Sequence, residues 1–188
     1  THLAAHICGT PIALVSLIDA NRQWFKSKVG LDATQTPREV AFCDYAILQS
    51  DVLIVPDTLT DKRFATNPLV TSEPHIRFYA GVPLITPDDQ AIGTLCVMDR
   101  RSLILDQKQT RVLKFLARQV VNCLESRRQL TRAHRVKQKI AVDALAKTEE
   151  RFRCLVQNSS DIISVLEDNG TICYVSPAVE RILGYKTE

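Results

Sequence analysis

Apolar and polar positions along the chain switch between a period of two and a period near 3.6, and each switch marks an element. Residues 11–19 (PIALVSLID) form a β-rich apolar run, and Asp19-Ala20-Asn21 supplies turn residues behind it. In residues 22–29, Trp24, Lys26 and Lys28 alternate with Phe25, Ser27 and Val29, which predicts a half-exposed antiparallel strand hairpinned to the first run. After Pro37, the positions Val40, Cys43 and Ile47, with Phe42 and Ala46, fall at helical spacing and predict a helix over 39–49. Residues 52–55 predict a short strand ended by Pro56-Asp57, while 61–68 and 71–74 read as loop. Residues 76–85 place Phe78, Ala80, Val82 and Leu84 on one face and Arg77, Tyr79, Gly81 and Pro83 on the other. Residues 91–99 return as their hairpin partner. Five strands joined mainly by hairpins, with helices between them, predict an α+β domain around an antiparallel sheet.

Seven of the eight prolines and four of the six glycines precede residue 94, and 95–169 contain neither. Residues 106–157 are filled by good helix formers, so one helix of about 75 Å is expected there. That is longer than a domain of this size can cover. Charge follows the same division. Residues 1–105 carry 9 basic and 11 acidic side chains, 106–153 carry 13 and 5, and 154–188 carry 2 and 5.

A chain of 188 residues that is 45% hydrophobic and 24% charged reads as globular, neither disordered nor fibrous. No apolar run approaches the ~18 residues of a membrane span, and Thr-His-Leu-Ala opens no signal peptide. The expectation is a cytoplasmic piece of a longer protein. The six cysteines are too dispersed for zinc spacing or a disulfide framework, and read as small buried hydrophobes.

The order PIALVSLID, RQWFKSKVGL, TPREVAFCDYAI, LIVPD, DKRFATNPLV, PHIRFYAGVPL, IGTLCVMD resembles a GAF domain over residues 1–121. That resemblance implies a six-stranded antiparallel sheet with terminal helices on one face and a ligand pocket under loops and short helices on the other. The leading helix reads as cut short. Residues 122–150 read as a signalling helix. The stretch from Glu149 to Tyr185 resembles the opening of a PAS domain, incomplete over 151–188, with a hairpin around Asp168-Asn169-Gly170. Beyond it, Ser176-Pro177 predicts a helix start and Gly184 a helix end.

The pocket candidates are Phe42, Cys43, Tyr45, Asp57, Phe64, His75, Arg77 and Tyr79, with Thr94 and Cys96 on the last strand. Arg77 and His75 could orient an anion or a purine-like ring; alternatively Arg77 pairs with Asp57 or Asp61 and pins the loops. Phe64 and Tyr79 read also as core. The ligand stays unknown. Bilin-binding GAF domains attach their chromophore through a Cys just before a His; Pro74-His75 stands there, so no covalent bilin is expected. No N-K-x-F-D-E pattern speaks for a cyclic nucleotide, and no metal site is expected. Cys43 and Cys96 admit a methionine sulfoxide reductase of the GAF type, but Asp44 beside Cys43 disfavours a thiolate, and inert buried thiols are the expectation.

The basic stretch Arg127, Arg128, Arg132, Arg135, Lys137 and Lys139 lacks aromatic interleaving or a recognition-helix turn, so a solvated face rather than nucleic-acid binding is expected. His134 lacks the neighbouring Glu of a phosphoacceptor helix and reads as a linker position. Leu113, Leu116, Val120, Leu124 and Leu130 form an imperfect heptad-like stripe, broken near Arg127 and His134. It predicts a parallel homodimer through the helix. The GAF–helix–PAS order implies the non-catalytic sensory region of a bacterial signalling protein with a C-terminal output domain. A sensor histidine kinase in a two-component system is the first expectation, a diguanylate cyclase or phosphodiesterase the second. A ligand-free structural dimerisation module is the rival from another class.

Overall fold

The computed structural model describes residues 1–184, which fall into two units, Thr1–Arg128 and the chain from Gln129 on. In the first unit, α1 (His2–Cys8) ends at Gly9, whose φ of 65° closes the helix in the left-handed conformation. There follow β1 (Ile12–Ile18), β2 (Arg22–Val29) and β3 (Gln35–Pro37), a 3₁₀ turn (Arg38–Val40), α2 (Phe42–Ala46) and β4 (Leu53–Val55). Then come α3 (Pro68–Thr71), β5 (Phe78–Ile85), β6 (Ala91–Asp99) and α4 (Gln107–Asn158), a helix that continues beyond the unit. The six strands form one antiparallel sheet in the order β3-β2-β1-β6-β5-β4. The α+β class is as expected.

The three central strands bury both faces. Ala13, Val15, Phe78, Ala80, Val82, Leu84, Leu95 and Val97 meet Ala4, Ala5 and Cys8 of α1 and Leu113, Ala117 and Val121 of α4. From the other face, Ile12, Leu14, Tyr79, Cys96 and Met98 meet Phe42, Cys43 and Ala46 of α2, with Phe64, Val70 and Ile76 from the connection to β5. Odd and even positions of one strand thus serve two separate cores.

Three expectations change. The helix foreseen over 39–49 is interrupted at Ala41, which is extended (φ −79°, ψ 120°). The Val40 carbonyl that a continuous helix would use internally accepts instead from Asn67 Nδ2 at 3.0 Å. Between the two stretches read as loop, 61–68 and 71–74, α3 forms and takes in Pro68 and Thr71, with Asn67 Oδ1 accepting from Leu69 N and Pro68 in the first turn. The hydrophobic pattern gave five strands, and the sixth that the resemblance implies is the short edge strand β3. Leu113, expected in a dimer stripe, is 1% exposed and packs against the sheet with Ala117 and Val121. Positions four apart share that face, so the stripe beside it is Leu116, Val120 and Leu124.

In the second unit the helix residues 131–150 are all exposed, and Leu130 is 72% exposed. The hairpin forms as β7 (Ser164–Leu166) and β8 (Ile172–Val175), followed by α5 (Ala178–Leu183) with Gly184 at φ 74°. Ser176 does not cap α5: its Oγ accepts from Ile163 N at 3.0 Å and ties the helix start to the strand entry, leaving Pro177 at the N-cap. Tyr185, last in the PAS-like stretch, lies outside the described residues. Among the described residues no helix is long and apolar enough to cross a membrane.

Candidate functional site

On the α2 face of the sheet lies a cavity of about 210 Å³. Its walls are Leu14 of β1, Gln23 and Phe25 of β2, Thr36 of β3, Phe42 and Cys43 of α2, Tyr79 of β5 and Met98 of β6. Leu31, Ala33, Leu69, Glu73, Pro74 and Ile76 complete it from the β2–β3 and α3–β5 connections. Ala33 and Glu73 are exposed residues, which puts the mouth between those two connections. The lining is overwhelmingly apolar, so an occupant gains mainly by removing its own apolar surface from water.

Polar groups converge on the Cys43 sulfur. Gln23 Nε2 and Thr94 Oγ1 each donate to it at 2.9 Å, and Tyr79 Oη donates at 3.4 Å. Cys96 Sγ lies 3.7 Å away. A second layer orients the donors. Thr36 Oγ1 donates to Gln23 Oε1 at 3.3 Å, and Ser16 Oγ lies 3.0 Å from Thr94 Oγ1. Thr94 has one hydroxyl proton, and since that goes to sulfur, Ser16 donates to Thr94. Tyr79 reaches the sulfur because Gly81, on the same face two residues on, leaves room for its ring. A Cβ there would lie 2.1 Å from Tyr79 Oη.

Burial pushes the Cys43 thiol up, but the hydrogen bonds it shares with Cys96, Thr94 and Tyr79 outweigh it and carry the group below the usual thiol range. Cys96 moves the opposite way, raised by its hydrogen bond to Cys43, by burial and by the Cys43 charge. The expectation that Asp44 disfavours a thiolate is corrected here. Its Oδ1 is held 2.7 Å from Arg38 Nε, so its charge is offset by the guanidinium.

Of the ten pocket candidates, Phe42, Cys43 and Tyr79 line the cavity. Thr94 and Cys96 stand behind Cys43 as its partners. Phe64 is fully buried behind the lining, its ring 4.9 Å from both Phe42 and Tyr45, so both Phe64 and Tyr45 belong to an aromatic cluster rather than to the cavity wall. His75 is exposed, with φ 56°, and Arg77 and Asp57 lie outside the lining. Arg77 Nε and Nη2 donate to Asp57 Oδ1 and Oδ2 at 2.9 and 2.6 Å, a forked pair that pins the connection after β4. The loop-pinning alternative is the one the structure takes. Gln23 and Thr36 were missed. The alternation of β2 puts Gln23 on the Phe25 face, and a polar residue on an apolar face was the available signal.

The Asp57 carboxyl is held below the usual range, chiefly by Arg77 and also by the Leu59 N–H. A depressed carboxyl contributes stability that is present above its unfolded pKa, ~4, and lost as pH falls through the folded value. Arg77→Gln is therefore expected to lower the urea midpoint at pH 7 and to make progressively less difference toward pH 3, as urea titrations at both pH values would register.

A two-faced antiparallel sheet, with terminal helices on one side and a small apolar cavity on the other, is the architecture of a class of sensory domains of signalling proteins. The chain belongs to the GAF domain family, whose model matches residues 1–124; a PAS domain model matches residues 150–188. A cyclic di-GMP phosphodiesterase of Pseudomonas aeruginosa is 49% identical over 113 residues, 60% of this chain and 19% of that protein. The chain thus spans about a fifth of the length of that curated relative. The free methionine-R-sulfoxide reductase of Neisseria meningitidis, solved with its substrate, has the same fold. Its TM-score is 0.56 at 20% identity, over 69% of this chain and 75% of that one. A domain assigned to a two-component sensor histidine kinase of Sinorhizobium meliloti gives 0.54 at 15% identity, over 70% and 91%. At such identities these two structures share the architecture alone.

Proposed function

We propose that the GAF domain is the small-molecule-responsive regulatory part of a protein that turns over cyclic di-GMP. The observation that carries this is the 49% identity over 113 residues to a cyclic di-GMP phosphodiesterase. It favours the second of the sequence-based expectations over the histidine kinase, whose likeness is one of fold. The cavity of about 210 Å³ falls below the ~300–1,000 Å³ typical of drug-sized sites. It suits a small, mainly apolar effector, and a cyclic dinucleotide or a tetrapyrrole is too large for it. An open cavity also weighs against a collapsed, purely structural module.

Two copies pair in parallel through Leu116, Val120 and Leu124, which line a groove beside Leu3 of α1. Burying each such side chain contributes ~1.5–3 kcal/mol, against a repulsion between basic helices that salt screens beyond ~8–10 Å. Val120→Asp with Leu124→Asp is expected to give monomers by sedimentation while the near-UV spectrum of the GAF domain is kept.

The regulatory reading is tested by replacing the matched segment of the Pseudomonas phosphodiesterase with that of this chain. The chimera is expected to hydrolyse cyclic di-GMP. Filling the cavity mouth by Ala33→Trp is expected to change that rate by about fivefold or more, the lower end of ordinary allosteric coupling. A chimera indifferent to Ala33→Trp would sink the reading.

A further inference from the structure

The two thiols on the pocket side of the sheet are built differently from the others. Cys8 is also buried, yet burial and Asp106 push its thiol up to about 11. Cys123, Cys154 and Cys173 are exposed. Cys43 alone combines a wall position in the cavity with three nitrogen or oxygen donors aimed at its sulfur. A thiol is a weak acceptor, and a neutral one has little use for three donors; a thiolate accepts all of them. A second sulfur in van der Waals contact, at 3.7 Å, stands on β6 behind it. Among the described residues no group of three or more His, Cys, Asp or Glu could hold a metal ion, so the cluster is not a metal site in waiting.

We infer that Cys43 and Cys96 form a two-thiol site that reacts with small apolar organic hydroperoxides admitted by the cavity. The inference rests on the cavity being a small-molecule site and is independent of the output it serves. The Cys43 thiolate attacks the terminal oxygen of the hydroperoxide; an S–O bond forms, the O–O bond breaks, and the alkoxide leaves and takes a proton from water as the alcohol. Cys43 is then a sulfenic acid, oxidised by two electrons as the peroxide is reduced. The Cys96 thiol attacks that sulfur, the S–S bond forms, and the hydroxyl leaves with the Cys96 proton as water. The apolar wall selects the organic peroxide over hydrogen peroxide, since its alkyl group leaves water on entry. Closing the two sulfurs from contact to the ~2.05 Å of a disulfide draws α2 toward β6. Phe42 moves with Cys43, and the cavity wall with both. The oxidised and reduced pairs thus give the cavity two shapes.

The test uses the full chain, reduced, desalted and mixed with one equivalent of cumene hydroperoxide, followed by alkylation and peptide mapping. A linked Cys43–Cys96 peptide is expected, formed at least about tenfold faster than exposed Cys123 is oxidised, because three donors converge on the Cys43 sulfur and a second sulfur stands 3.7 Å from it. Urea-unfolded chain is expected to lose that preference. Cys96→Ser is expected to leave Cys43 as a dimedone-reactive sulfenic acid, and Tyr79→Phe to slow its formation while near-UV dichroism stays native. Oxidation of Cys123, Cys154 and Cys173 with Cys43 still reduced would overturn the site. Hydrogen peroxide reacting faster than cumene hydroperoxide would overturn the substrate class.

Discussion

Gly93→Ala is expected to unfold the GAF domain at room temperature or leave it with a fraction of its stability. Gly93 sits opposite Leu17, the end pair of the ladder between β6 and β1, the two central strands of the sheet. A Cβ at that position would lie 1.9 Å from the Ser16 carbonyl oxygen and 2.9 Å from Leu17 Cα. Both obstacles are backbone and cannot rotate aside, so the strands must spread beyond their ~4.8 Å spacing and give up ladder hydrogen bonds. The same displacement parts Ser16 from Thr94, which support each other at 3.0 Å beneath Cys43. The loss should exceed about 4 kcal/mol, a size that single substitutions rarely reach. Gly9→Ala is the control. Space is open around it and only its left-handed φ of 65° is strained, so about 1–2 kcal/mol is expected. Urea unfolding followed by circular dichroism separates the two; equal midpoints would show that the β1–β6 spacing is not limiting.

Leu113→Ala is expected to cost about 2–5 kcal/mol, the range for a fully buried leucine, whereas Leu130→Ala should stay within about 0.5 kcal/mol. Both stand in the same apolar stripe by sequence spacing, yet one is 1% and the other 72% exposed. Leu113 fills the space between α4, Ala5 of α1 and the sheet. Its removal leaves a cavity that strand backbones cannot collapse to fill. Denaturant titrations of the two variants at low protein concentration distinguish a core role from a seam role. Should Leu113→Ala prove neutral for unfolding yet abolish self-association, Leu113 would belong to an interface after all.

That contrast also marks what the sequence could tell. Alternation along β5 announced both of its faces, and the helix foreseen over 106–157 lies within a residue of its observed bounds at each end. Such elements are specified by long periodic runs. Short elements fixed by tertiary contacts were harder to read. β3 has three residues and exists because β2 offers an edge. The break at Ala41 depends on Asn67 reaching across from a distant connection. The site divides in the same way. Phe42, Cys43 and Tyr79 were legible as pocket residues, whereas Thr94 and Cys96, read as pocket residues too, stand behind Cys43. For Arg77 the sequence offered two readings, ligand recognition with His75 or pairing with Asp57 or Asp61. In the fold, Arg77 is committed to Asp57, and the cavity is left apolar. Gly81 shows the limit most plainly, because nothing local reveals that a Tyr two residues earlier needs its missing side chain.

The two-sidedness of β1, β5 and β6 constrains how this module can change over generations. A substitution at Leu14, Tyr79 or Met98 sits on a strand whose adjacent positions hold the helix-side core, so altering the floor of the cavity risks disturbing the seat of α4. Leu31, Ala33, Thr36, Leu69 and Glu73 border the same cavity from β3 and the connections and have no part in that second core. Lineages can therefore exchange one effector for another by drift at the rim, while the strands beneath stay nearly frozen. Related chains should vary most where the cavity opens and least where the sheet divides it from the helix.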